Sequence, residues 1–111
     1  MPLGIFSPKS FSAVRCEARV PMEVGVHISG HHAQPGTEIT FTENVSSRGA
    51  RVLTTRRWKI NDRIVVTTLA GSFHSTARVA YCHKVPHAGF AVGVEFVETS
   101  GGWVVGPAGK R

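Results

Sequence analysis

Cysteine is scarce in this sequence: it occurs only as Cys16 and Cys82, and neither belongs to a C-x-x-C pair. Two isolated thiols do not make a disulfide framework, and a four-ligand zinc site would need histidines at irregular spacing. The adjacent His31 and His32 point to opposite faces of an extended strand and complete no recognised ligand set. We therefore expect reduced thiols, no metal site and no other cofactor.

Acidic residues and long apolar runs are also few. The 7 acidic residues are dispersed along the chain, and no phosphate-binding glycine loop or nucleophile–base pair accompanies them, so we expect no enzymatic activity. No run approaches the roughly 18 consecutive apolar residues that predict a membrane-spanning helix. The first residues lack the basic and then apolar order of a secretory signal. Together with the reduced thiols, these features predict a cytoplasmic protein without a membrane span.

Positive charge, in contrast, is in excess. Lys and Arg total 13 in a chain of 111 residues, the formal net charge is +6, and the hydrophobic fraction of 41% is that of one globular domain. This balance predicts an anionic partner and leaves nucleic acid, nucleotide, anionic lipid and acidic protein open.

The middle of the chain consists of short segments in which apolar and polar residues alternate, with turn residues between them. Six such segments are found at 20–28, 37–42, 50–53, 63–69, 73–81 and 90–96, and none has a helical period. They predict an all-β fold, a small six-stranded antiparallel barrel, because closure removes the exposed edges of an open sheet. We expect a flexible N-terminal arm at 1–19, the barrel domain at 20–98 and a glycine-rich tail at 99–111.

Two polar elements stand out beside this barrel pattern. Arg15 and Arg19 lie in the arm, separated by three residues, and an arginine can grip a phosphate with two donors and stack on a purine. The second element is the segment 44–49, Asn-Val-Ser-Ser-Arg-Gly, whose Asn and Ser side chains can bond a base edge or the local backbone. Its Gly49 permits either a close backbone approach or a positive φ.

The two elements in this order resemble the PilZ domain, a bacterial receptor for the second messenger cyclic dimeric GMP (c-di-GMP). Segments 49–52 and 89–96 also resemble strands of that family, and the resemblance covers about residues 15–97. It implies that Arg15 and Arg19 bind the guanines and phosphates of the dinucleotide, and that Asn44, Ser46 and Gly49 receive it on the barrel. Further contacts are expected at Val14, Arg48 and Arg51.

The resemblance therefore implies a receptor that orders its arm around c-di-GMP and signals to an unidentified downstream protein. In the family, the residue before the first arginine influences how many dinucleotides bind, and the apolar Val14 favours one. Two other functions are open. One is a nucleic-acid-binding barrel in which residues 56–59, Arg-Arg-Trp-Lys, contact a single strand through phosphate pairing and stacking on Trp58. The other is a PilZ-like scaffold that binds only a protein partner.

Overall fold

The computed structural model describes residues 18–105, in which every regular element is a β-strand. The strands are β1 (Val20–Pro21), β2 (Gly25–Ser29), β3 (Glu38–Ser46), β4 (Gly49–Thr54), β5 (Arg63–Thr68), β6 (Phe73–Val85) and β7 (Gly89–Gly101). The described part of the chain contains no helix that is long and apolar enough to cross a membrane.

Six of the strands close into an antiparallel barrel. Strands β2 to β7 pair in the cyclic order β2–β3–β4–β7–β6–β5, and β5 pairs with β2 to complete the ring. The short β1 lies outside the ring and pairs with the end of β3, where Val20 is opposite Val45 and Pro21 is opposite Asn44. The predicted six-stranded antiparallel barrel is confirmed, and β1 is an addition to it.

The core is built from the inward-facing half of each alternating strand. The fully buried side chains include Val26, Ile28, Val45, Val52, Ile64, Val66, Val79 and Val92. Such β-branched residues suit a half-buried pleated surface, and burying each one contributes roughly 1.5–3 kcal/mol. On β4, Ala50 and Val52 are buried while Arg51 between them faces outward, as its alternation predicts.

Because neighbouring strands are antiparallel, the connections between them lie alternately at the two ends of the barrel. The connections 30–37, 55–62 and 86–88 lie at one end, which we call the loop end. The β3–β4 turn at 47–48, the β5–β6 connection at 69–72 and the C-terminal end of β7 lie at the opposite end, which we call the turn end. The predicted ligand residues of β3 and β4 belong to the turn end.

The last strand is longer than its sequence pattern predicts. β7 continues past Glu98, the residue at which the barrel domain was expected to end, to Gly101. The cause is pairing, because the 13-residue β6 extends β7 along its whole length, from Val85 opposite Gly89 to Phe73 opposite Gly101. Gly101 ends the strand with a φ of 85°. Most of the predicted arm, residues 1–17, lies outside the described residues.

Candidate ligand-binding site

The β3–β4 turn is a tight connection closed by the pair of Ser46 and Gly49. The Ser46 side chain is fully buried, and its hydroxyl accepts a hydrogen bond from the backbone N–H of Arg48 at 3.3 Å. A Cβ atom on Gly49 would lie 2.1 Å from the carbonyl oxygen of Val94 on β7. Gly49 is therefore required for the close approach of two backbones.

Asn44 and Arg19 meet directly above this turn. A β-bulge between Thr42 and Asn44 interrupts the pairing of β3 with β4 just before Asn44. The Nη1 atom of Arg19 donates a hydrogen bond to Oδ1 of Asn44 at 2.8 Å. The pairing of β1 with β3 brings the end of the predicted arm to this position. One arm arginine and the first residue of the predicted turn motif are thus in contact, although they are 25 residues apart in the chain.

Arg51 is opposite Asn44 in the strand pairing, and its guanidinium has two partners. Its Nε donates to Oε1 of Glu43 at 2.7 Å, and its Nη1 donates to the Tyr81 hydroxyl at 3.2 Å. The hydrogen bond to Glu43, followed by that to Tyr81, raises the pKa of Arg51 above its ordinary value. Arg51 is therefore a permanent cation beside Asn44, partly neutralised by one carboxylate.

Most of the chain matches the model of a known protein family. A family model described as "PilZ domain" matches residues 13–102. The chain belongs to the PilZ domain family. PilZ domains are in general non-enzymatic modules that bind c-di-GMP. No curated protein is similar enough in sequence to match this chain.

The predicted PilZ ligand residues fall into three groups: some lie on the outer surface, some are buried in the turn, and some lie outside the described residues. Arg19, Asn44 and Arg51 come together on the outer surface, and Arg48 is exposed at the tip of the turn. Ser46 and Gly49 are buried and shape the turn. Val14 and Arg15 fall within the span that matches the family but lie outside the described residues.

Two residues near this PilZ site escape the sequence analysis. The Tyr81 ring covers Gly93, since a Cβ atom on Gly93 would lie 2.1 Å from the ring. The Tyr81 hydroxyl accepts the hydrogen bond from Arg51. An aromatic residue and a glycine facing each other on paired strands are the signal that could have shown it. Trp103, assigned to the tail by its glycine-rich surroundings, donates its Nε1–H to the Ser46 carbonyl oxygen at 2.7 Å.

Trp58 is not the exposed stacking residue that the nucleic-acid interpretation of residues 56–59 requires. Trp58 is only 2% exposed and packs in the core, so its ring is not accessible to a base. Arg56 is directed toward a carboxylate and two backbone carbonyls. Arg57 lies over the Phe90 ring, 5.3 Å from its centroid. In the described residues, no group of three His, Cys, Asp or Glu side chains is placed to hold a metal ion.

The neighbouring serines of the turn provide a matched stability test. The Ser47 hydroxyl is buried and has no hydrogen-bond partner among residues 18–105, whereas the Ser46 hydroxyl accepts from Arg48. A buried unpaired hydroxyl carries a desolvation cost. We expect Ser47→Ala to raise the free energy of unfolding by about 1 kcal/mol and Ser46→Ala to lower it by about the same amount, measured by urea denaturation. A loss of stability in Ser47→Ala would show that this hydroxyl has a partner.

Proposed function

We propose that this chain is a receptor for c-di-GMP that binds the dinucleotide at the turn end of the barrel. The observation that carries the proposal is the contact between Arg19 and Asn44, which joins the two motif elements expected to share the ligand. Membership of the PilZ family supports the identity of the ligand. The proposed setting is the bacterial cytoplasm.

In this proposal each residue has a chemical role. Arg15 and Arg19 bind the phosphates and stack on the guanines, because a guanidinium offers both a planar donor fork and a flat cationic face. Asn44 supplies an amide to the ligand, while Ser46 and Gly49 hold the turn on which it rests. Arg48 and Arg51 add positive charge nearby, and Val14 favours a single bound dinucleotide.

Binding would exchange one partner of Arg19 for another. Its present partner is a neutral amide oxygen, and the side chain is exposed. A phosphate oxygen offers a charge-assisted bond that is shorter and stronger than a bond to a neutral acceptor. The gain offsets the entropy lost when the arm is ordered around the ligand. The ordered arm then forms a new surface for a downstream protein, which is a disorder-to-order switch.

A calorimetric titration tests the proposal. The full chain is titrated with c-di-GMP, beside an Arg15→Ala variant and an unrelated single-stranded oligonucleotide. We expect saturable binding of one dinucleotide per chain and loss of the binding signal in the variant. Absence of binding by folded wild-type protein would overturn the proposal. Binding of the oligonucleotide alone would instead support the nucleic-acid function.

Neutralising Glu43 is expected to strengthen binding. In Glu43→Gln the carboxylate that pairs with Arg51 is lost, so more of the positive charge beside Asn44 faces an anionic ligand. An exposed ion pair is worth about 0–1 kcal/mol, so we expect a roughly two- to fivefold gain in c-di-GMP affinity by calorimetry. Glu98→Gln, with the same change of charge at an exposed residue of β7, is the control. Weaker binding by Glu43→Gln would mean that Glu43 orients Arg51 for the ligand.

A further inference from the structure

The segment that follows β7 is attached to the candidate site. The indole N–H of Trp103 donates to the carbonyl oxygen of Ser46 at 2.7 Å, across 57 residues of sequence. A second bond runs from the backbone N–H of Phe96 to the carbonyl oxygen of Arg48 at 2.8 Å. The backbone of the turn is thus held from the C-terminal side at Ser46 and at Arg48, on either side of Ser47.

An aromatic cluster holds the indole in place. Its members are Phe73, Phe96 and Trp103, and the three pairs of ring centroids are 4.7–5.0 Å apart. Tilted and edge-to-face pairs at this separation are favourable beyond the area that they bury. Beside the cluster, a groove of about 410 Å³ is lined by residues that include Ser47, Arg48 and Trp103. The indole therefore packs against two phenylalanine rings and also bonds to the turn.

Fixing the Ser46 carbonyl has a direct effect on the turn. The peptide group is planar, so the direction of that carbonyl also determines the direction of the Ser47 N–H. Backbone N–H groups in a turn form concave sites that suit anions. The hydrogen bond from Trp103 consequently orients the Ser47 N–H, a backbone donor at the start of the β3–β4 turn.

We propose that Trp103 is a positioning residue of the c-di-GMP site: without contacting the ligand, its indole N–H holds the β3–β4 turn in the conformation that binds. This inference rests on the proposed function. Because the bond joins the turn to residues beyond β7, a movement of the turn on binding also changes the surroundings of the indole.

The chain offers a pair of variants for comparison, since Trp→Phe removes an indole N–H at either of its 2 tryptophans and only that of Trp103 bonds to the turn. The Trp58 Nε1 atom is buried and has no hydrogen-bond partner in the described part of the chain, whereas that of Trp103 bonds to the turn. We expect Trp103→Phe to weaken c-di-GMP binding roughly three- to tenfold, the loss of one hydrogen bond, and Trp58→Phe to change it less than twofold. Equal affinities in the two variants would overturn the proposal.

Two further measurements separate this inference from the proposed function. In ligand-free protein, Trp103→Phe is expected to shift the NMR amide signals of Ser47 and Arg48, and Trp58→Phe to leave them unchanged. These spectra test whether Trp103 holds the turn, independently of ligand binding. If the shifts are seen but the wild type binds no c-di-GMP, the proposed function is overturned while the hold of Trp103 on the turn stands. In Trp58→Phe protein, where Trp103 is the only tryptophan, saturation with c-di-GMP should change its fluorescence; unchanged emission on binding would contradict the coupling.

Discussion

Replacing Arg19 with alanine is expected to weaken c-di-GMP binding about 10- to 100-fold, while the free energy of unfolding changes by less than about 0.5 kcal/mol. The large effect on binding follows from the loss of a charge-assisted contact to phosphate, which is worth about 1.5–3 kcal/mol. The small effect on stability follows from exposure, since the only partner of Arg19 in the described structure is the Asn44 amide. Calorimetry and urea denaturation measure the two quantities.

A matched control for this variant is Arg63→Ala. Arg63 is also exposed, but it begins β5 at the loop end, away from the β3–β4 turn. Its removal lowers the net charge by the same amount, so it reports any general electrostatic attraction of the ligand. Equal losses of affinity in Arg19→Ala and Arg63→Ala would contradict a specific site at Arg19 and indicate diffuse charge attraction.

Replacing Gly49 with alanine is expected to lower the free energy of unfolding by at least about 3 kcal/mol. The new Cβ atom would lie 2.1 Å from the Val94 carbonyl oxygen and 3.2 Å from the Val94 carbonyl carbon. Both are backbone atoms of the paired strand, so the clash cannot be relieved by a side-chain rotation. β4 would have to separate from β7 at Gly49, the first of the six residue pairs that hold the two strands together.

Gly102→Ala is the matched control, because a Cβ atom at Gly102 meets nothing within 4 Å. We expect this substitution to leave the urea midpoint close to that of the wild type. If Gly49→Ala were equally stable, the close approach of β4 and β7 would be contradicted. If it is destabilised as expected, any loss of c-di-GMP binding in this variant arises from the fold of the turn and not from a lost ligand contact.

The barrel was accessible from the sequence because apolar and polar or small residues alternate along its strands. The segment 90–96 alternates between apolar residues and small or acidic ones, and β7 indeed runs through it. Where burial and alternation end, the prediction ends too: residues 97–101 carry no such pattern and are strand only because β6 pairs with them. Long-range pairing of this kind leaves no local signal.

In the candidate site, too, some features could be predicted from the sequence and others depend on long-range contacts. The contact of Arg19 with Asn44 agrees with a shared role for the two motif elements, which came from family resemblance and not from local chemistry. The nucleic-acid alternative required Trp58 at the surface, which its basic neighbours suggested, whereas the ring lies in the core. Tyr81, the second partner of Arg51, and Trp103, which bonds to the Ser46 carbonyl, are distant in the sequence and are brought to these positions only by the closed barrel.

An NMR titration of the isotopically labelled chain with c-di-GMP tests directly whether the dinucleotide binds at the β3–β4 turn. We expect saturable shifts at the amides of Arg19, Asn44 and Gly49, and little change at His31 and Gln34 at the loop end. Shifts concentrated at the loop end, or no shifts at saturating ligand, would contradict a c-di-GMP site at the β3–β4 turn.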